Sequence, residues 1–84
     1  MEHQRFSELL DQTYQWPDFY EFKFIVKMQD KDQITSQLVD FTIVETPSAQ
    51  GNYISISARK LMKSTQEVIE VYELISKTKG VISL

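Results

Sequence analysis

A chain of 84 residues in which 42% of the side chains are hydrophobic has room for one folded domain and no second core. Its formal net charge of −3 argues against broad nucleic-acid binding, because such binding draws most of its affinity from neutralised phosphates. The absence of cysteine excludes disulfides, thiolate metal sites and thiol catalysis. No apolar run has the length of a membrane span and the N-terminus lacks a secretory signal, so we expect a soluble, cytoplasmic protein without membrane contact.

The first predicted element is a short N-terminal helix or arm within residues 1–15, ahead of a single domain over residues 16–84. Phe6, Leu9 and Leu10 are spaced i, i+3, i+4, as on one side of a helix. Together with Trp16, these three residues are too many large apolar groups for a segment that is free in solvent. We therefore expect this segment to dock on the domain or on a partner subunit.

The domain is predicted to begin with a corner and a strand. Trp16 is followed by proline, which pushes it out of the helical region and bends the chain. A strand from Phe19 to Met28 alternates between two faces. The expected core face holds Tyr20, Phe22, Phe24 and Val26, and the other face holds Glu21, Lys23, Ile25 and Lys27.

A short helix and a second strand should follow. Asp30 or Asp32 can cap the helix, and Ile34 and Leu38 repeat at helical spacing on its buried side. Phe41 is a further candidate for that side, and the helix is expected to span two to three turns at most. Residues 41–46 are predicted to form the second strand.

A turn over residues 47–51 leads into a third strand, Gly51–Arg59. This strand divides into an apolar face of Ile54, Ile56 and Ala58 and a polar face of Tyr53, Ser55, Ser57 and Arg59. Such a division is typical of a sheet that helices cover on one side only.

The predicted domain ends with a capped helix and a last strand. Ser64 and Glu67 form a capping box. The buried stripe of the helix is expected to contain Val68, Val71, Tyr72 and Ile75. Gly80 can stop the chain in a left-handed conformation before a short strand at residues 81–84.

The order β-α-β-β-α-β predicts an α+β fold, a ferredoxin-like sandwich with both helices on one face of a four-stranded antiparallel sheet. The expected strand order is 4-1-3-2. The first and third strands are then central, and the other face of the sheet is left uncovered.

Catalytic, cofactor-binding and metal-binding residues are not predicted. His3 lies in a polar tail without a fixed position or an orienting partner. The acidic cluster Asp30–Asp32 lacks the ligand count and the glycine of a calcium loop. The turn Gln50–Asn52 lacks the second glycine and the lysine of a phosphate loop.

The uncovered face carries the candidate binding residues Lys23, Lys27, Tyr53 and Arg59. Pairing Glu21 with Arg59 across the central strands places Lys23 opposite Ser57, Ile25 opposite Ser55, and Lys27 opposite Tyr53. This mildly basic, hydroxyl-lined face suits a protein partner or a small anion. The alternative is an ordinary solvated face. RNA recognition is disfavoured, because Tyr53 is the only ring where such domains stack two.

Several short motifs resemble the YbeD-like family of small bacterial domains of unknown function. They are Trp16–Pro17, Tyr20, Phe22–Lys23, Ser48, Gly51–Ser55, Val71–Glu73 and Gly80–Val81. The resemblance extends from Trp16 to Leu84. It implies a ferredoxin-like fold similar to the ACT regulatory domains of amino-acid metabolism, a regulatory or binding role, and no known catalytic residue.

The leading hypothesis is a non-enzymatic interaction or regulatory module that acts through its open sheet face or a sheet edge, on a protein partner or on a second copy of itself. The alternative is an ACT-like sensor of an anionic metabolite or amino acid. Neither hypothesis requires a cofactor.

Overall fold

Four strands and three helices form the structure, a computed structural model that describes residues 3–84 and side chains from residue 4 onward. The helices are α1 (His3–Thr13), α2 (Lys31–Thr35), which a 3₁₀ turn (Met28–Asp30) precedes, and α3 (Thr65–Ser76). The strands are β1 (Asp18–Lys27), β2 (Thr42–Pro47), β3 (Tyr53–Met62) and β4 (Ile82–Ser83).

The strands form one antiparallel sheet in the order β2-β3-β1-β4, which confirms the predicted order. Strands β1 and β3 pair without interruption from Asp18 opposite Met62 to Lys27 opposite Tyr53. The register predicted from Glu21 opposite Arg59 is therefore confirmed along the whole central pair.

The hydrophobic core lies against one face of this sheet, as predicted. The sheet contributes Phe22, Phe24, Val26, Ile54, Ile56 and Ala58, all at most 3% exposed, and the helical layer contributes Leu10, Ile34, Leu38, Val68 and Ile75. Burying one such side chain stabilises the fold by about 1.5–3 kcal/mol relative to leaving it exposed. The face of the sheet opposite this core, here called the open face, has no helix over it among the described residues.

Helix α1 docks on the domain, beside α3. Leu10 is 4% exposed and part of the core, whereas its neighbour Leu9 is 58% exposed and takes no part in docking on this domain. The Phe6 ring meets the Tyr72 ring edge to face, with 5.7 Å between the centroids. The expectation that this segment docks on the domain is thus confirmed for Phe6 and Leu10, whereas docking of Leu9 on a partner subunit stays a prediction.

Hydrogen bonds also fasten the chain between α1 and β1 to the start of α3. The Trp16 indole N–H donates to the Thr65 hydroxyl over 2.8 Å, and that hydroxyl donates to the Asp11 carboxylate. Thr65 is 7% exposed, so this network satisfies a buried polar group. Sequence spacing did not reveal Thr65, because its partners come from a different part of the chain.

The predicted aspartate cap of α2 is wrong. Asp30 stands at the N-cap but makes no capping hydrogen bond with its side chain. The 3₁₀ turn runs straight into the helix, so the Lys31 N–H already bonds to the Met28 carbonyl. A capping side chain has less to satisfy where a preceding turn supplies the acceptor.

The capping box of α3 is present with one change of partner. The Ser64 hydroxyl accepts the Glu67 N–H over 3.2 Å, as predicted. The Glu67 carboxylate accepts the Lys63 N–H over 3.0 Å, in place of the expected Ser64 N–H. After the helix, Gly80 has φ of +83°, which confirms the left-handed stop.

The assignment of the core face is testable at Phe24, which is fully buried. Phe24→Ala should lower the free energy of unfolding by about 3–5 kcal/mol, because it removes a ring and leaves a cavity. Phe19→Ala is the matched control, since Phe19 lies on the same strand with 48% exposure, and it should cost about 1 kcal/mol or less. Chemical denaturation measures both, and equal losses would show that the faces are assigned wrongly.

The docking of α1 is testable with two adjacent leucines. Leu10→Ala should cost about 2–4 kcal/mol, whereas Leu9→Ala should cost about 0.5 kcal/mol or less, because only Leu10 is buried. The two variants make the same chemical change on the same helix. A Leu10→Ala protein as stable as the wild type would mean that α1 does not pack on the domain in solution.

Candidate functional site

The four predicted site residues all lie on the open face, along the two central strands. Lys27 of β1 is directly opposite Tyr53 of β3, at one end of the pair. Lys23 is opposite Ser57, and Arg59 is one pleat further along. Because a strand rises about 3.3 Å per residue, the Cα atoms of Lys23 and Lys27 are about 13 Å apart. The positive charges therefore form a row rather than a single pocket.

The cations of this row are not neutralised by Glu21. The Arg59 guanidinium lies over the Phe19 ring, 4.2 Å from its centroid, although Glu21 is its direct cross-strand neighbour. Glu21 instead accepts a long hydrogen bond of 3.4 Å from the Ser57 hydroxyl. Within the part of the chain that the structure describes, neither Lys23 nor Lys27 forms an ion pair. These three cations are therefore available to an external anion.

Large apolar side chains share the open face with these charges, and sequence reasoning missed most of them. Val44 of β2 is opposite Ser57, and Ile82 of β4 is opposite Ile25. Leu84 continues the alternation of β4, with its N–H donating to the Lys23 carbonyl over 2.9 Å. Only the register of the outer strands brings these residues beside Lys23. Strand β4 has two residues, so its sequence has too little periodicity to predict that register.

Shallow cavities surround the Lys27 and Tyr53 end of the sheet. One of about 300 Å³ is lined by Lys27, Gln29, Asn52 and Tyr53. A second of about 320 Å³ lies on the other side of Tyr53, between Ile25, Ser55 and the turn at Pro47. A third of about 400 Å³ is lined by Lys27, Asp30, Gln33, Lys79 and Gly80, and so by two lysines and one aspartate.

A pair of tyrosine hydroxyls forms the most perturbed titratable site among the described residues, but it lies in the packed layer. The hydroxyls of Tyr20 and Tyr72 are 2.9 Å apart. Burial raises the pKa of Tyr72, and its hydrogen bond to Tyr20 raises it further. Burial also raises the pKa of Tyr20. Both hydroxyls are therefore protonated at neutral pH, and their role is to join β1 to α3.

The described part of the chain has neither a cluster of metal-binding side chains nor a helix of membrane-spanning character. Over residues 3–84 no three histidine, cysteine, aspartate or glutamate side chains come together as a metal site. None of the helices formed by these residues is long and apolar enough to cross a membrane.

Comparison with known proteins gave no match: no family model, no curated protein and no solved structure is similar to this chain. Function must therefore be inferred from the geometry of the molecule itself.

The tyrosine pair predicts how stability depends on pH. A phenol whose pKa is raised by folding favours the folded state fully below its ordinary pKa of about 10, and this contribution is lost as the pH rises past it. Tyr72→Phe should cost about 1 kcal/mol at pH 8 through the lost hydrogen bond. Since phenylalanine cannot ionise, the variant should lose less melting temperature than the wild type between pH 8 and pH 11.

Thermal unfolding at several pH values measures this effect. Tyr53→Phe is the control, because Tyr53 is exposed on the open face. If the wild type and Tyr72→Phe lose equal melting temperature towards pH 11, the Tyr72 hydroxyl is not buried as described.

Proposed function

We propose that the protein is a non-catalytic interaction or regulatory module whose open sheet face binds an acidic, partly apolar surface of a protein partner. The observation that carries this proposal is the coexistence of large exposed apolar groups and unpaired cations on the one face without helices. The element order supports a ferredoxin-like fold for this module. The short sequence motifs between Trp16 and Gly80 support the proposal that the protein belongs to the YbeD-like family.

The apolar part of the argument rests on how exposed side chains are distributed. Nine large hydrophobic side chains are exposed among the described residues, and six of them belong to the open face. Those six are Phe19, Val44, Tyr53, Leu61, Ile82 and Leu84. In the strand register these six residues alternate with the charged and hydroxyl-bearing residues of the central strands, and an exposed face that combines large apolar groups with charges is a candidate interaction surface.

The electrostatic part favours an acidic partner over a second copy. Lys23, Lys27 and Arg59 outnumber Glu21 on the open face, although the whole chain has a net charge of −3. Two copies that met through this face would bring like charges together, since a two-fold interface uses the same patch on both subunits. An acidic surface would instead be attracted at long range and captured faster.

A small-molecule sensor of the ACT kind is the second candidate. The cavity lined by Lys27 and Lys79, of about 400 Å³, favours it, because that volume suits an amino acid or a small anionic metabolite. A ligand of the folded state raises thermal stability by mass action, by about 2.7 kcal/mol at a hundred times its dissociation constant. Thermal unfolding in the presence of amino acids, phosphorylated metabolites and dicarboxylates therefore separates the two candidates.

Charge reversal on the open face tests the leading proposal. A partner is first obtained by affinity purification with cross-linking, and its contact segment is mapped. Lys23→Glu combined with Lys27→Glu should slow association with that partner by about tenfold or more at low salt, with folding intact. The difference should shrink at high salt, because exposed charges are then screened.

The matched control is Arg5→Glu combined with Lys77→Glu, which changes the net charge equally but on the helical side. Association of this control should stay within about twofold of the wild type, since its charges lie away from the open face. An unaffected Lys23→Glu, Lys27→Glu protein, together with a strongly affected control, would assign the working surface to the helices.

A further inference from the structure

The hydrogen-bonded ladder between β2 and β3 stops before β3 ends. Strand β3 pairs with β1 as far as Met62, but its pairing with β2 stops at Arg59 opposite Thr42. The residue before β2, Phe41, turns its N–H to the Leu38 carbonyl over 3.0 Å, and so the chain leaves the sheet there. The last residues of β3, beyond Arg59, therefore have a free edge on the β2 side among the described residues.

Backbone direction identifies the groups on this free edge. The Tyr53 carbonyl accepts from the Ser48 N–H over 2.8 Å, on the side of β3 that faces β2. Alternate residues of a strand direct their N–H and C=O groups to the same neighbour, and Leu61 is an even number of residues from Tyr53. Among the described residues, nothing bonds to the Leu61 N–H or C=O on that side. Leu61 thus offers one donor and one acceptor to an added strand.

A cleft of about 480 Å³ lies beside this edge, between β3 and α3. Its lining includes the side chains of Phe41, Val71 and Leu74, and Leu61 and Met62 of β3 border it. Leu74 is 43% exposed, so the apolar wall is open to solvent on the α3 side. This region, here called the β3–α3 cleft, is separate from the row of cations on the open face.

Charges in the β3–α3 cleft balance one another. Lys60 and Lys63 face Glu67 and Glu70 across it. The Lys60 ammonium is 5.2 Å from the Phe41 ring centroid, and the Glu67 carboxylate is already engaged by the Lys63 N–H. A cleft without net charge and with an apolar wall complements an uncharged segment, whereas the open face complements an acidic one.

We propose that the β3–α3 cleft binds an extended, uncharged apolar peptide segment of a partner protein, which adds to β3 as an antiparallel strand in line with β2. One peptide residue exchanges two hydrogen bonds with Leu61. Its two neighbours then point to the helical side of the sheet, because side chains alternate along a strand. There they contact Val71 and Leu74. Strand addition of this kind takes affinity from backbone bonds and specificity from alternate side chains.

Amide hydrogen exchange of the free protein tests the edge itself. The Arg59 N–H is paired with β2, whereas the Leu61 N–H has no partner in the part of the chain that the structure describes. Leu61 should exchange at least about tenfold faster than Arg59, since an unpaired amide needs no opening of the sheet. Equal protection of the two amides would mean that the edge is already occupied, and would overturn the proposal.

Selection from a display library of random octapeptides tests the occupant. Uncharged peptides with two apolar residues at positions i and i+2 should be enriched on the wild type. Binding should fall about tenfold in Leu74→Gln and stay unchanged in Leu9→Gln, a matched exposed leucine on another helix. N-methylation of the peptide residue between the two apolar ones should abolish binding, and the bound peptide should protect the Leu61 amide.

Three results would contradict the proposal. One is a library without enriched peptides, and another is a selected peptide that Leu74→Gln binds as well as the wild type does. The third is protection of Leu61 that rises with protein concentration alone, which would assign the edge to a second copy of the chain. Lys23→Glu combined with Lys27→Glu should leave peptide binding unchanged, so the outcome at this cleft is independent of the function proposed for the open face.

Discussion

The continuous pairing of β1 with β3 is the constraint on which the rest of the structure depends. Ten residues of each strand lie in one register without a bulge. Because side chains alternate with a period of two, a slip by one residue would exchange Phe22 and Phe24 with Lys23 and Ile25. The same register therefore determines both the core and the cationic row. The core stabilises the fold, and the cationic row is a consequence of the same alternation.

The helical layer makes the sheet one-sided. Helices α1, α2 and α3 all contribute to the core on the same face, and α1 fills the space beside α3 through Phe6 and Leu10. Using three helices on one face leaves the other with Val44, Ile82 and their neighbours in water. Exposing that apolar surface to water costs free energy in proportion to its area. A partner that covers the surface would recover this free energy on binding.

Sequence reasoning predicted what depends on short-range alternation and failed where distant parts of the chain meet. The faces of β1 and β3, the Ser64 cap and the Gly80 stop all follow from local patterns, and the structure has them. Thr65 and the apolar groups of β2 and β4 were missed, because their roles depend on tertiary contacts and on the register of the outer strands.

Leu61 connects the two surfaces proposed for binding. Its side chain lies on the open face next to Phe19, while its N–H and C=O lie at the free edge of β3 beside the β3–α3 cleft. A peptide bound at that edge would order the last residues of β3. It would also order the Leu61 side chain, which lies on the open face. The two proposed surfaces therefore meet at Leu61, which contributes its side chain to one and its backbone groups to the other.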